Sequence, residues 1–469
     1  MLSIDIVSFS GICVVIRFSC TSVVTRLQGL LSGCTYYYKI QQSSGQEVAE
    51  SQVFNFWTIT QSQNKVKPQK YLVYGDLGQE AGKPTFPVLK EEVESGQYET
   101  IWHVGDFAYD LFDEGGKRGD HFLLEIEQIA ARIPYMTSPG NHEIQNSFHH
   151  YGTRFSMPGT TWPMPVTKLW YSYNIGLVHF ISYSTEVFFS DNQVHVCKQY
   201  DWLLRDLTEA NENRDKQPWI VAMGHRPMYC SNRDIREDCF GGPLHYWVRN
   251  GLEDLFHSQG VDLIIQAHEH SYERSWPMYR EEVTAKNYIN PEASVHVTSG
   301  AAGSFEGVDK MGKPEHWSAF RADDKSFHSF GKLIIHNQTH IQFIQETVKP
   351  RAELDNFWIV QHNHGPRIQE LDCQTGEDPL NICRCPALYH YATVSIVVGI
   401  TVPIVVLVTL FLTVYVCRKR GRCRCFDQTI CCSKLYSWNS WTVKFKSKKY
   451  FNPLEYDTYN LVATKDVEL

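Results

Sequence analysis

Six short apolar runs in this chain each lead into a polar turn. They are YLVYGDLG (71–78), TIWHVGDFAYD (100–110), PYMTSPGNHE (134–143), LVHFISY (177–183), WIVAMGHRP (219–227) and VDLIIQAHEH (261–270). An apolar run of this length closed by turn residues reads as a buried strand. Between them lie amphipathic stretches, HFLLEIEQIAARI (121–133) and CKQYDWLLRDLTEANEN (197–213), with helical spacing. Strand, loop and helix in alternation predict an α/β domain. Functional groups on such domains gather at the C-terminal ends of the strands, and that is where the polar motifs fall. SVHVTSGAAG (294–303), GKLIIHNQTHIQFIQ (331–345) and DNFWIV (355–360) are strand-like and close the domain near residue 360.

The strand-end residues are Asp76, Asp106, Tyr109, Asn141, His142, His225, His268 and His270. All but His142 form a coherent metal-ligand set, with carboxylate, phenolate and amide oxygens beside imidazole nitrogens. One aspartate can bridge two ions while the others divide into two shells. Two ions about 3.5–4 Å apart are the usual device for phosphoryl hydrolysis. Gly75 and Gly105 precede the two aspartates and let backbone approach metal. In His268-Glu-His270, alternate residues of an extended strand end would face the same way. A lone Asp after Gly is commonly a turn or cap, and a lone buried His is commonly core. The seven candidates stand because they are weighed jointly. His149, His150, His245 and His296 read as non-functional.

The motifs Gly75-Asp-Leu-Gly78, Gly105-Asp-Phe-Ala-Tyr109, Gly140-Asn-His-Glu143, Gly224-His-Arg-Pro227 and Ala267-His-Glu-His270 occur in one order. They resemble the five blocks of purple acid phosphatases, within the metallophosphoesterase superfamily. The resemblance covers roughly residues 25 to 360 and is closest to the larger, plant-like type also present in animals. It implies a sandwich of two mixed sheets flanked by helices. It implies an Fe(III) site of Asp76, Tyr109 and His270, and a second divalent site (zinc, iron or manganese) of Asn141, His225 and His268. Asp106 would bridge both, and His142 would contact phosphate or assist the leaving group. The implied reaction is hydrolysis of phosphate monoesters by a metal-bound hydroxide, with an acid optimum. Tyr109 separates this reading from other metallophosphoesterases, most of which lack a tyrosine ligand. Ala267 stands where the family has glycine, and Val221 lies one place early in the fourth block. The further histidines that plant members carry after that block are absent; Arg233 or Arg236 could bind phosphate instead.

Around this domain the sequence changes character. Residues 1–64 read as part of a fibronectin type III-like β-sandwich, with strands at TRLQGLL (25–31), TYYYKIQQ (35–42) and FNFWTI (54–59) and an incomplete N-terminus. Residues 1–20 are apolar but lack the basic start of a secretory signal. KVKPQK (65–70) reads as a linker into the catalytic domain, 69–360, which is followed by a juxtamembrane segment, 361–390. Residues 392–416 carry no charge, which predicts a single transmembrane helix over 391–417. The Arg/Lys-rich residues after it place the tail, 418–469, in the cytoplasm. The expected topology is type I, with the catalytic domain extracellular or lumenal at the plasma or endolysosomal membrane. The tail cysteines are candidates for palmitoylation, and Tyr459-Asn-Leu-Val462 has the form of a sorting signal for an adaptor. Nine cysteines before residue 390 suit an oxidising compartment, with Cys230 and Cys239 close enough for a loop bridge. Asn337-Gln-Thr339 is a glycosylation sequon. A net charge of −8 argues against nucleic acid as a partner.

Three functions remain open on these residues. One is a phosphomonoesterase; another is a phosphodiesterase acting on nucleotides or lipids; the third is a receptor or adhesion role on a phosphatase scaffold. Tyr109 favours the first over the second, and the complete ligand set opposes the third.

Overall fold

The computed structural model describes residues 2–7, 13–18, 27, 29–44, 47–59, 67–189, 194–232, 243–322, 327–368 and 385. The chain divides into units 1–392 and 393–469, and all described residues belong to the first. The expected membrane span, the cytoplasmic tail with Tyr459, and Arg233, Arg236 and Cys239 lie outside the described residues.

Near the N-terminus, β1 (Leu2–Val7), β2 (Cys13–Phe18), β3 (Thr35–Ser44), β4 (Glu47–Glu50) and β5 (Phe54–Trp57) form one antiparallel sheet. Its order is β2-β1-β3-β4, with β5 paired to β3. The second sheet that a fibronectin-like sandwich requires is not among the described residues. One expectation is corrected here. Residues 29–31 form a bend, not a strand, and the Leu31 amide donates to the Tyr36 hydroxyl at 2.7 Å. Residues 2–18 contribute β1 and β2, where runs such as Val14-Val15-Ile16 favour extended backbone. The sheet docks through Tyr38, whose hydroxyl donates to the Ala131 carbonyl at 2.9 Å.

The catalytic domain begins with β6 (Gln69–Tyr74), β7 (Leu77–Gly78), α1 (Thr85–Glu94), β8 (Tyr98–Val104) and β9 (Phe107–Ala108). Strand β6 thus takes in the last two residues assigned to the linker. Next come α2 (Lys117–Ala130), β10 (Tyr135–Ser138), α3 (Gln145–Arg154), β11 (Tyr171–Ile175) and β12 (Val178–Ser182). They are followed by α4 (Val194–Glu212), β13 (Trp219–Met223), α5 (Pro243–Ser258), β14 (Leu263–Gln266) and β15 (Tyr272–Ser275). Strands β16 (Met278–Tyr279) and β17 (Glu282–Val283) make a small hairpin. The last strands are β18 (Val295–Ser299), β19 (Ser318–Arg321), β20 (Ser329–Ile335), β21 (His340–Thr347) and β22 (Ala352–Val360).

Two mixed sheets result. One runs β10-β8-β6-β20-β21-β22 and the other β11-β12-β13-β14-β18-β15-β19. In the first, β6, β8 and β10 are parallel; in the second, β12, β13, β14 and β18 are parallel. All six motif-bearing strands are therefore in parallel stretches, so their C-terminal ends share one edge of each sheet. The sheets meet face to face through aromatic rings: Phe180 lies 4.3 Å from Trp102 and 4.9 Å from Tyr71, centroid to centroid. All three are fully buried, and each such side chain contributes about 1.5–3 kcal/mol. The Trp102 indole N–H is satisfied by the Tyr173 hydroxyl at 2.7 Å.

Packing continues beyond residue 360. The Arg367 amide donates to the Ser258 carbonyl at 2.9 Å, and Cys385 forms a disulfide with Cys197 at the start of α4. Cys230 is also disulfide-bonded.

Candidate metal centre

Each expected ligand sits just past a strand end. Asp76 follows β6, Asp106 and Tyr109 follow β8, Asn141 and His142 follow β10, His225 follows β13, and His268 and His270 follow β14. The first three strands belong to one sheet and the last two to the other, so the centre straddles the joint between them. Four of these residues adopt positive φ: Asp76 at 62°, Asp106 at 57°, Tyr109 at 52° and His268 at 68°. Backbone in this region costs non-glycine residues of order 1–3 kcal/mol, a strain typical of ligand-binding turns.

Glycine makes the convergence possible at two points. A Cβ on Gly140 would lie 2.2 Å from Asp106 Oδ1 and 2.8 Å from His225 Nε2. Gly105, at φ +82°, would put its Cβ 2.3 Å from His225 Nδ1.

The donors fall into two adjoining groups. In one, the Tyr109 hydroxyl lies 2.6 Å from His270 Nε2 and 3.2 Å from Asp76 Oδ1. In the other, His225 Nε2 lies 3.0 Å from Asn141 Oδ1 and 3.2 Å from Asp106 Oδ2. Donor atoms of Asp106, His225 and His268 lie within 4.8 Å of one another. His225 Nδ1 lies 2.9 Å from the Val104 carbonyl, which can only accept. That fixes the proton on Nδ1 and turns Nε2 toward the cluster, the arrangement expected of a metal-binding imidazole.

One expected geometry is corrected. Residues 267–271 do not form an extended strand end. The Glu269 amide donates to the Ala267 carbonyl at 2.8 Å and the Ser271 amide to the Glu269 carbonyl at 2.7 Å. Two consecutive tight turns, with His268 left-handed, bring the imidazoles to the centre. The cause is Asp76, whose Oδ2 accepts the His268 amide at 3.0 Å and anchors the first turn.

Electrostatics of the metal-free chain show what the cluster lacks. Burial and the neighbouring charges pull Asp106 in opposite directions, and His225 wins, holding its carboxyl well below the usual range. Burial opposes charge on His225 and His270, yet the aspartates raise them to about 10 and about 9. Asp76 is raised by burial, and the Tyr109 phenol is pushed well above its usual value by burial, Asp76 and Asp106. Protonated histidines thus occupy the role of cations among the carboxylates. A bound metal ion inverts this logic, displacing those protons and favouring phenolate. The buried donor set, its hard oxygens and its cationic demand fit a pair of metal ions.

Sequence reasoning missed three supporting residues. Asp110 Oδ1 lies 2.8 Å from His142 Nδ1 and orients that ring; its position four residues after Asp106, in the same motif, was the available signal. Despite burial, Asp106 and Asp110 raise the His142 imidazole above its ordinary value. Glu143, the last residue of its motif, accepts the amides of Asp106, Phe107 and Gly140 at 2.9, 3.0 and 2.8 Å. It ties two ligand loops together, and burial with the Asp106 charge raises it to about 8. Asp309 Oδ2 accepts the His270 amide at 2.5 Å and comes from a stretch with no motif signal.

Residues 69–272 match the calcineurin-like phosphoesterase family, and 293–347 match the iron/zinc purple acid phosphatase-like C-terminal family. The chain is 44% identical over 315 residues to acid phosphatase type 7 of Danio rerio, covering 63% of this chain and 69% of the relative. It is 39% identical over 360 residues to acid phosphatase type 7 of Homo sapiens, covering 73% and 77%. Among solved structures, a purple acid phosphatase from yellow lupin (Lupinus luteus) seeds has a TM-score of 0.63 at 21% identity, covering 77% of this chain and 69% of that one. This last likeness concerns the fold.

Proposed function

Because the chain belongs to the purple acid phosphatase family, we propose that it hydrolyses phosphate monoesters at an Fe(III)–divalent metal centre. Family membership makes it a phosphoric monoester hydrolase with a binuclear site. The finer reading places Fe(III) on Asp76, Tyr109 and His270, and zinc, iron or manganese on Asn141, His225 and His268, with Asp106 shared. The observation that carries it is the convergence of a buried phenol, Tyr109, on Asp76 and His270. When bound, the ions supply Lewis acidity and an acidified water for attack at phosphorus.

The chain's own residues supply the rest. Asp110 accepts from His142 Nδ1, so Nε2 is the position left to exchange a proton or bind a phosphoryl oxygen. Nε2 lies 3.9 Å from Asp106 Oδ2, beside the shared ligand. Glu143 holds the loops of Asp106 and Asn141 in register. The strained turns at Asp76, Asp106, Tyr109 and His268 aim their side chains before any ligand arrives.

The visible spectrum, metal content and pH profile of the purified chain test this reading. A broad band between roughly 500 and 600 nm, about two metals per chain with one iron, and an acid optimum support it. Two metals without colour, with diesters preferred, would favour a phosphodiesterase with no ferric site. Folded protein with no affinity for metal would leave only a binding role.

For location, we propose a type I membrane protein whose catalytic domain faces an oxidising compartment. The disulfides at Cys197–Cys385 and Cys230 support this side of the membrane. Asn337 is exposed and open to glycosylation. A glycosidase-sensitive mass shift lost in Asn337→Gln, together with protease removal of the tail but protection of the catalytic domain in sealed microsomes, is the expected result.

A further inference from the structure

We propose that Arg226 clamps the substrate's phosphoryl group on the second-metal side of the centre, with Glu186 as its positioning residue. This rests on the phosphomonoesterase reading above.

Of the six strand-end runs, the one after β12 contributed no ligand, and it builds this device. The Thr185 hydroxyl accepts the Arg226 amide at 3.0 Å and donates to Glu186 Oε1 at 2.8 Å. Arg226 Nε lies 3.0 and 3.1 Å from Glu186 Oε1 and Oε2. The guanidinium carbon sits 4.4 Å from the centroid of the Phe189 ring. Glu186 is fully buried, while the Arg226 side chain keeps 14% exposure. One edge of the guanidinium is thus fixed from behind by a carboxylate and a ring.

Its other edge reaches the centre. Nη1 lies 3.1 Å from His268 Nε2, and a His268 donor atom lies within 4.8 Å of those of Asp106 and His225. A permanent cation therefore stands at the rim of the ligand cluster. Guanidinium donors match phosphoryl oxygens in geometry and charge, and a pre-fixed fork loses little freedom on binding. A monoester dianion carries one more negative charge at phosphorus than a diester. Arg226 therefore strengthens phosphate binding and biases the centre toward monoesters.

The test uses the full chain with Arg226→Ala, Arg226→Lys and Glu186→Gln. Metal content is measured first, then affinity for inorganic phosphate by calorimetry. The ratio of kcat/KM for p-nitrophenyl phosphate over bis(p-nitrophenyl) phosphate follows. Arg226→Ala is expected to keep two metals, to bind phosphate about 10- to 100-fold more weakly, and to lower the monoester-to-diester ratio by a similar factor. Arg226→Lys and Glu186→Gln should fall between. Unchanged phosphate affinity in a two-metal variant overturns the proposal. Loss of metal from Arg226→Lys, which keeps the charge and its Glu186 partner, also overturns it, because Arg226 would then serve His268 and not the substrate. If wild-type chain neither binds metal nor turns over monoester, the reading of the centre itself falls, independently of these variants.

Discussion

Asp106 Oδ2 lies 3.2 Å from His225 Nε2, with both side chains almost wholly removed from solvent. In the metal-free chain the pair is ionic, the imidazole raised to about 10 and the carboxyl depressed. His270, raised to about 9, stands likewise against Asp76. Ligation requires neutral imidazole and a phenolate, so loading at pH 7 should release about three protons per chain, from His225, His270 and Tyr109. Calorimetry in buffers of different ionisation enthalpy counts them, and a value near zero contradicts the ion-pair picture.

The sign of the pH dependence follows from the same shifts. The folded pKa of His225 exceeds its unfolded value of 6.5. Its contribution to metal-free stability is fully present below that value and is lost as pH rises through about 10. Asp106, depressed when folded, contributes above its ordinary 3.8 and loses that contribution as pH falls. Chelator-stripped protein should therefore melt lower at pH 10 than at pH 6, while metal-loaded protein shows much less of this difference. Equal melting curves for the stripped chain at both pH values would count against it.

Gly140→Ala should fold but bind metal poorly. The added Cβ would meet Asp106 Oδ1 at 2.2 Å and His225 Nε2 at 2.8 Å, so one of the two ligands must move. Displacing a ligand by a few tenths of an ångström is expected to cost about 10- to 100-fold in metal affinity. Circular dichroism like wild type, with the metal bound through Asp106 and His225 lost on dialysis, is the expected pair of observations.

These residues also show what was readable from sequence. Asp76, Asp106, Asn141 and His225 announce themselves because each ends an apolar run, and the pleat of a parallel sheet delivers such ends to one edge. Tyr109 and His142 were legible through their motifs. Asp309 was not, since it lies ten residues past the end of β18 in a loop without a motif, and it acts through a hydrogen bond to the His270 amide, 39 residues away in sequence. Arg226 lay inside a recognised motif, but its partner Glu186 is 40 residues away in sequence, a distance that local pattern does not bridge. The turns at 267–271 were misjudged because alternation along a strand ignores the pull of Asp76 on the His268 amide.

His142→Ala should lower kcat by about 10²- to 10⁴-fold with both metals retained. Asp110→Asn should have a smaller effect of the same kind, since it keeps an acceptor for Nδ1–H but removes the carboxylate charge that helps raise the imidazole. The discriminating measurement is metal content beside kcat. A drop in metal for either variant would mean that this dyad holds the ligand loops and not the substrate.

Arg274→Ala probes the scaffold without touching the centre. Arg274 on β15 pairs with Asp355 on β22 through Nε at 2.7 Å and Nη2 at 3.1 Å, and its guanidinium carbon lies 4.4 Å from the Phe357 ring centroid. The pair joins the second sheet to the last strand of the first, with side-chain exposures of only 9% and 7%. Truncating the arginine leaves Asp355 buried with the Tyr272 hydroxyl at 2.8 Å but without its counter-charge. The expected loss is about 3–5 kcal/mol, read from the midpoint of urea unfolding. Replacing both residues by apolar ones, Arg274→Met with Asp355→Leu, should recover most of it, because neither charge is then stranded. Activity per folded molecule should stay near wild type in the double variant. If the double variant is as unstable as Arg274→Ala alone, the pair contributes through its geometry between the sheets and not only by cancelling charge.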